Sequence, residues 1–357
     1  MDHQLRRAGL VGRCADLDLE ALVVTRLPNV RYLSGFTGSN GQVLVSEAAS
    51  VFFTDGRYTE QSRHEVTDLE RVTYSEGFGR SLADQCARLG INRLGFEAHD
   101  VTVAMLRKLS EKLPDVELVP VEDQVEHLRW VKDDEELSAL QRAQEATDAA
   151  FEAVLEHLAV GMTEQQVALE LDHMMRRAGA DGLSFDSIVA FGENAAEPHH
   201  EPTHRVLEES DVIKIDFGAL FAGYHADMTR TVAFGAPPAE LKKIHDIVRE
   251  SQQAGIDAVK AGVTGGSIDA VSRNVIQDAG YGEHFTHSLG HGVGLEIHEG
   301  PSLVKDGDEM LPVGAVVTVE PGIYIPGLGG VRIEDSVEVT QDGCRVLGTS
   351  TRELIEL

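Results

Sequence analysis

Short apolar runs, each closed by turn-forming residues, dominate roughly the first 120 positions of the chain. "ALVVT", "GQVLVSE", "SVFFTDGRY" and "RLGFE" read as strands, and between them "SLADQCARL" and "TVAMLRKLSEKL" carry the helical period. This alternation predicts an α/β domain. At "VEHLRWVKDDEELSALQRAQEATDAAFEAVLEHL" the pattern changes to one long amphipathic helix, with Leu137, Leu140, Ala143, Thr147, Phe151, Val154 and Leu158 at helical spacing. The change of period places a boundary near residue 126 and gives two domains, 1–126 and 127–357, as a chain of 357 residues suits.

The second domain contains an internal repeat. "VGMTEQQVALELDHMMRRAG" aligns with "AGVTGGSIDAVSRNVIQDAG", so that Gly161, Thr163, Val167, Ala178 and Gly179 fall on Gly262, Thr264, Ile268, Ala279 and Gly280. Each copy reads as a Gly-x-Thr helix start, with Thr as N-cap, and a glycine stop. A β-rich segment follows each copy. Two such halves are expected to pack their strands into a shared sheet backed by helices, an α+β arrangement, although shared capping chemistry alone would also produce the likeness.

Two β segments carry charges where apolar residues are the norm. In "DVIKIDFGALFAGYHADMTRTVAF" the run Val212, Ile213, Ile215 leads into Asp216, and Thr229, Thr231 and Val232 follow Asp227. A hairpin symmetric about residues 221–222 would set Asp216 directly opposite Asp227, at roughly 5 Å between Cβ atoms, where like charges are destabilising. Either a cation sits between them or both are solvated on an exposed strand. In "AVVTVEPGIYIPGLGGVRIEDSVEV", Glu320 ends one strand, Pro321-Gly322 turns the chain, and a second strand carries Arg332, Glu334 and Ser336 on one face. Carboxylates in such strands are costly unless paired or metal-bound, and Arg332 is the available pairing partner.

Charge narrows the function classes. With 31 basic against 60 acidic residues and a formal net charge of −29, the surface repels phosphate backbones and anionic lipid, which argues against nucleic-acid and membrane partners. Three scattered cysteines, Cys14, Cys86 and Cys344, and no secretory or membrane-spanning run point to the cytoplasm. Nine of the fifteen histidines fall between His199 and His298, and three of them, His287, His291 and His298, stand in the glycine-rich stretch "FTHSLGHGVGLEIHEGP". No H-E-x-x-H, G-x-S-x-G or P-loop pattern occurs. Four carboxylates and one histidine form a hard, oxygen-rich set suited to a pair of divalent cations. Two ions about 3.5–4 Å apart can share a hydroxide that is nucleophilic at neutral pH while polarising a carbonyl.

In this order, Asp216, Asp227, His291, Glu320 and Glu334 resemble the ligand set of the pita-bread metallopeptidases. "HSLGHGVGLEIHEGP", "VEPGIY" and "RIED" are similar to the Xaa-Pro branch, and "NVRYLSGFTGSNG…FTDGRYTEQS" resembles its creatinase-type N-terminal domain. The resemblance implies a creatinase-like α/β N-terminal domain and an α+β pita-bread catalytic domain with a pseudo-twofold repeat. It implies two divalent ions per chain, Mn²⁺ foremost with Co²⁺, Fe²⁺ or Zn²⁺ as alternatives, and a homodimer. Asp216 would chelate one ion, Asp227 and Glu334 would bridge both, and His291 and Glu320 would complete the second. Glu320 would also relay protons, His298 and His199 would flank the scissile carbonyl, His287 would line the cleft, and Arg332 would orient groups beside Glu334. His200 and His204 match no role.

The expected reaction is removal of the N-terminal residue from short peptides with proline second, by attack of the metal-bridging hydroxide. The alternatives are a strict Xaa-Pro dipeptidase, or a creatinase-like or peptide-binding relative that is no peptidase. Archaeal-type prolidases carry an arginine four positions after the second cleft histidine. Here that place is Ser302, a neutral hydroxyl that would suit a peptide carbonyl nearly as well as a terminal carboxylate. Glycines beside His291 are expected to let the backbone pass close to the metals, and strand alternation through "LEIH" to aim His298 at the substrate.

Overall fold

A computed structural model describes all 357 residues, which fall into two compact units, Met1–Arg129 and Trp130–Leu357. The first is built on six strands: β1 (Ala21–Val24), β2 (Gln42–Ser46), β3 (Ser50–Asp55), β4 (Glu70–Tyr74), β5 (Arg93–Glu97) and β6 (Glu117–Val121). Their order is β4-β3-β2-β1-β5-β6, with β1 antiparallel to β2 and parallel to β5. The four apolar runs found in the sequence are the four inner strands. Val23, Leu44, Phe53 and Leu94 pack on Leu82, Cys86 and Leu109 of the two expected helices. Both edge strands, β4 and β6, lie outside the expected set because they keep much of their surface in water, β4 lacking an apolar run and β6 carrying Pro120 within its own.

The second unit opens with the long helix, Asp134–Leu155, started by a capping box in which Asp133 and Glu136 each bond the other's backbone. It ends before Leu158, which packs against the core from beyond the helix. The repeat seen in the sequence is a repeat in space. Helices Glu164–Arg177 and Gly265–Asp278 are N-capped by Thr163 and Thr264, whose backbones bridge to Val206 and Met310. The glycines before and after each helix have positive φ, 89° and 104° at Gly161 and Gly179, 76° and 87° at Gly262 and Gly280.

Each copy delivers three antiparallel strands. The first set is β7 (Ile188–Phe191), β8 (Val212–Phe217) and β9 (Met228–Ala233), ordered β9-β8-β7. The second holds β10 (Gly290–Gly292), β11 (Glu299–Leu303) and β12 (Val316–Val319). After them come a small hairpin of β13 (Gly322–Ile325) and β14 (Gly329–Arg332), then β15 (Asp335–Val339) and β16 (Cys344–Val346). The larger sheet runs β11-β10-β12-β15-β16. A shared sheet was expected, and instead, besides two smaller sheets, the structure gives each copy a principal sheet of its own over its own core. Val167, Phe191, Ile213 and Phe217 lie in one; Ile244, Ile268, Val317 and Val337 lie in the other. The two meet where Thr229 accepts the Glu334 amide at 3.1 Å.

The β8–β9 hairpin turns one residue later than expected. Leu220 pairs with His225, so the turn is Ala222-Gly223, both at positive φ as a two-residue type I′ turn requires. Asp216 therefore stands opposite Thr229, and Asp227 falls opposite Gly218 rather than opposite Asp216. Moving a partner by two residues preserves the face, so both aspartates still point to the same side of the ribbon, now as diagonal neighbours.

Candidate metal centre and substrate cavity

Five separate strand ends converge on one cavity of about 420 Å³. Asp216 projects from β8 and Asp227 from the residue before β9; His291 is the middle of β10. Glu320 follows β12, and Glu334 lies between β14 and β15. The β12–β15 ladder pairs Val319 with Asp335, so one further step sets Glu320 across from Glu334. Arg332 and Glu334, expected on one strand, are instead the end of β14 and a residue of the break, 333–334, that separates it from β15.

Ligand atoms of Asp227, His291 and Glu334 lie within 4.8 Å of one another. His291 Nε2 is 3.5 Å from Asp227 Oδ2 and 3.4 Å from Glu320 Oε1. The other ring nitrogen, Nδ1, donates to the Gly292 carbonyl at 3.0 Å, which leaves the Nε2 lone pair facing the carboxylates. Burial holds that imidazole down at about 4, so it is neutral at physiological pH.

The carboxyls show the complementary strain. Burial, and after it the mutual repulsion of Asp216, Asp227, Glu320 and Glu334, holds the Asp227 and Glu334 carboxyls well above the usual range. Glu320 is pushed up to about 7 by burial. Asp216 gives one oxygen to Arg332, while its Oδ1 is buried with no hydrogen-bond partner. Four carboxyls gathered around a neutral imidazole are a set short of positive charge. Oxygen-rich donors with one nitrogen fit divalent cations well, and cations would bring the raised Asp227, Glu320 and Glu334 carboxyls back down.

A second layer fixes the acidic groups. The Thr229 hydroxyl donates to Glu334 Oε2 at 2.7 Å and accepts from Arg332 Nε at 2.9 Å. Arg332 also donates to the Tyr324 hydroxyl at 2.8 Å and to the Pro198 carbonyl at 3.2 Å. His287 donates from Nδ1 to the Ser288 carbonyl at 2.7 Å, so its Nε2 accepts from the Tyr324 hydroxyl at 2.9 Å. Burial, then the Arg332 charge, holds His287 down at about 3, consistent with that neutral form. His287 and Arg332 both line the cavity as expected, but their polar atoms are committed to neighbours. Thr229 and Tyr324 were not among the residues marked in the sequence. Thr229 shares a strand face with Asp227, and that parity was the available signal; Tyr324 had none beyond its place in "VEPGIY".

His199 and His298 stand exposed on the cavity wall, and the His298 ring lies 4.3 Å from that of His291, steeply inclined at 68°. The means of placing His298 differs from expectation: Gly294–His298 is a bend between β10 and β11, not an alternating strand. The glycines around His291 also serve another purpose. A Cβ on Gly290 would come within 2.0 Å of the Thr318 carbonyl oxygen, and one on Gly292 within 2.3 Å of that of Gly300. They allow close passage of neighbouring backbone. His200, unassigned from sequence, is buried and bonds Glu164 and Glu197 at 2.9 and 2.7 Å. Ser302 lines the cavity, but its hydroxyl donates to Glu309 at 2.8 Å.

Residues 138–341 match the model of metallopeptidase family M24, and residues 6–131 match that of the creatinase/prolidase N-terminal domain. A solved Xaa-Pro dipeptidase from Bacillus anthracis is similar throughout, with 42% identity, TM-score 0.97 and full coverage of both chains. The X-Pro aminopeptidase from Thermotoga maritima MSB8 is 39% identical, with TM-score 0.90, over 97% of this chain and 100% of its own. An Xaa-Pro dipeptidase of Pyrococcus horikoshii is 35% identical over 94% of this chain and 95% of its own length.

Proposed function

The chain belongs to metallopeptidase family M24, and from that premise we propose that it is an Xaa-Pro exopeptidase that removes the N-terminal residue from short peptides with proline second. The observation that carries this reading is the convergence of Asp216, Asp227, His291, Glu320 and Glu334 on one cavity whose wall presents His199 and His298. Two divalent ions, Mn²⁺ by preference, would be held there. Asp216 would serve the first, His291 and Glu320 the second, and Asp227 and Glu334 both. When bound, the ions supply Lewis acidity toward the scissile carbonyl and lower the pKa of water.

The side chains of the protein do the rest. His298 and His199 donate hydrogen bonds to the carbonyl oxygen as negative charge develops on it. Glu320, beside the water the ions would activate, takes a proton from it and returns it to the departing proline nitrogen. Arg332 holds Asp216 in place, and His287 forms the wall beside Tyr324. This reading also places the protein in the cytoplasm as a homodimer, with peptides as its partners. Its three cysteines are free, and no helix is long and apolar enough to cross a membrane.

Tolerance of peptides longer than two residues follows from the charge of the cavity wall. A strict dipeptidase needs a free cation for the terminal carboxylate. The one Lys or Arg lining this cavity is Arg332, and its Nε and both terminal nitrogens are engaged. The expected Ser302 hydroxyl does not compensate, because its proton is given to Glu309. Mn²⁺-loaded protein assayed side by side on Ala-Pro and Ala-Pro-Ala tests this: both should be cleaved. Turnover of the dipeptide alone would make the protein a strict Xaa-Pro dipeptidase, and turnover of neither would refute the exopeptidase reading.

A further inference from the structure

His199 is exposed, and no hydrogen bond holds its ring, so its place on the cavity wall is set by the backbone on either side of it. That backbone is held from below by an amine that the reaction does not use. Lys214, two residues before Asp216 in the apolar strand β8, is completely buried. Its Nζ donates to the Glu197 carbonyl and, at 3.3 Å, to the Pro198 carbonyl, and it lies 5.2 Å from the Tyr324 ring centroid. Arg332 adds its own bond to the Pro198 carbonyl. On the far side of His199, the His200 ring is pinned to Glu164, which also accepts from the Phe191 and Thr203 amides. The segment is thus fixed at both ends and free only at its middle residue.

We propose that Lys214 is a positioning residue for His199: by holding the Glu197 and Pro198 carbonyls it sets where that imidazole stands on the wall opposite the metal ligands. The proposal rests on the reading of His199 as a group that binds the scissile carbonyl. Its physical basis is that Lys214 is a donor to the Glu197 carbonyl and, together with Arg332, to the Pro198 carbonyl. With Lys214 gone they would lose a donor and the segment would shift to find another. A displacement near 1 Å at a group that must meet a reacting atom costs up to about a hundredfold in rate.

The test is a double-mutant cycle with Mn²⁺-loaded protein, using Lys214→Met, His199→Ala and the pair. Lys214→Met, similar in length and uncharged, should lower kcat on Ala-Pro-Ala by about tenfold with KM and bound Mn²⁺ unchanged, but should cost nothing more in the His199→Ala background. Amide hydrogen exchange of metal-free protein should speed up across residues 192–205 in Lys214→Met, with the rest of the chain unaffected. If Lys214→Met does not fold, Lys214→Gln, which keeps one donor, takes its place in both measurements. Losses that multiply in the double variant, loss of Mn²⁺, or unchanged exchange would each overturn the proposal. Full activity of His199→Ala alone would instead remove the role of His199 on which it rests, and the exchange result would still report whether Lys214 holds the segment.

Discussion

Replacing Thr229 with valine changes one hydroxyl to a methyl and keeps the shape of a β-branched strand residue, so strand propensity contributes little. Two bonds disappear at once, the 2.7 Å donation to Glu334 Oε2 and the 2.9 Å acceptance from Arg332 Nε. Both orphaned atoms belong to buried residues, Glu334 at 1% and Arg332 at 2% exposure. A buried polar atom left unpaired costs about 1–3 kcal/mol, so with two of them the metal-free protein should lose about 2–6 kcal/mol of stability. The effect on metal is separate. Thr229 decides which oxygen of Glu334 faces the cavity, and loss of such an outer-shell partner typically weakens metal binding by about 10- to 100-fold. That range corresponds to about 1.4–2.7 kcal/mol. Mn²⁺ titration against a competing fluorescent chelator measures the affinity, and thermal melts with and without Mn²⁺ measure the stability. Thr229→Ser, which restores the hydroxyl, should recover both. A valine variant that binds Mn²⁺ as tightly as the parent would show that the hydroxyl does not orient Glu334.

Asp227→Ala should lose both ions rather than one, because its carboxylate would serve each; metal analysis after gel filtration that finds one ion retained would refute the bridging role. His298→Ala should keep its metal yet lose about 10²–10³ in kcat, the usual cost of one electrostatic donor to a developing oxyanion; unchanged turnover would make His298 a wall residue only. The pH dependence of stability in chelator should carry the mark of Glu320. Its carboxyl has an ordinary value of 4.5 and sits at about 7 in the fold, so it favours the folded state fully below pH 4.5 and progressively less as pH rises through 7. Urea titrations from pH 5 to 8 should show Glu320→Gln losing less stability than the parent over that window; identical slopes would contradict the raised value.

The sequence by itself determined the modules, the inner strands and the carboxylates set in apolar strands, because these rest on local patterns, while His291 was singled out by the family resemblance. An apolar run such as "ALVV" is buried in almost any sheet, and Thr163 and Thr264 cap their helices whatever lies around them. Parity was enough to place Asp216 and Asp227 on one face, even though the turn at Ala222-Gly223 moved the partner of each by two residues. Charge within an apolar strand was a usable signal too. It marked Asp216 and Glu320, and it would equally have marked Lys214 in "VIKIDF", a residue left unread because nothing local says which carbonyls lie above it.

What the tertiary structure decided are relations between segments far apart in the chain. The edge strand Glu70–Tyr74 shows no apolar run, Glu117–Val121 carries a proline inside its short run, and pairing with β3 and β5 makes them strands. His200 became a buried pin only once Glu164, in the preceding helix, came within 2.9 Å of it. Arg332 can engage Asp216, Thr229, Tyr324 and the Pro198 carbonyl only where the two half-repeats meet. Ser302 was a free hydroxyl in the sequence and a donor to Glu309 in the fold. The physical reason is common to all of these. Burial removes water as a partner, so each polar atom must take whatever donor or acceptor the packing brings near it, and that choice is not written in the residues beside it.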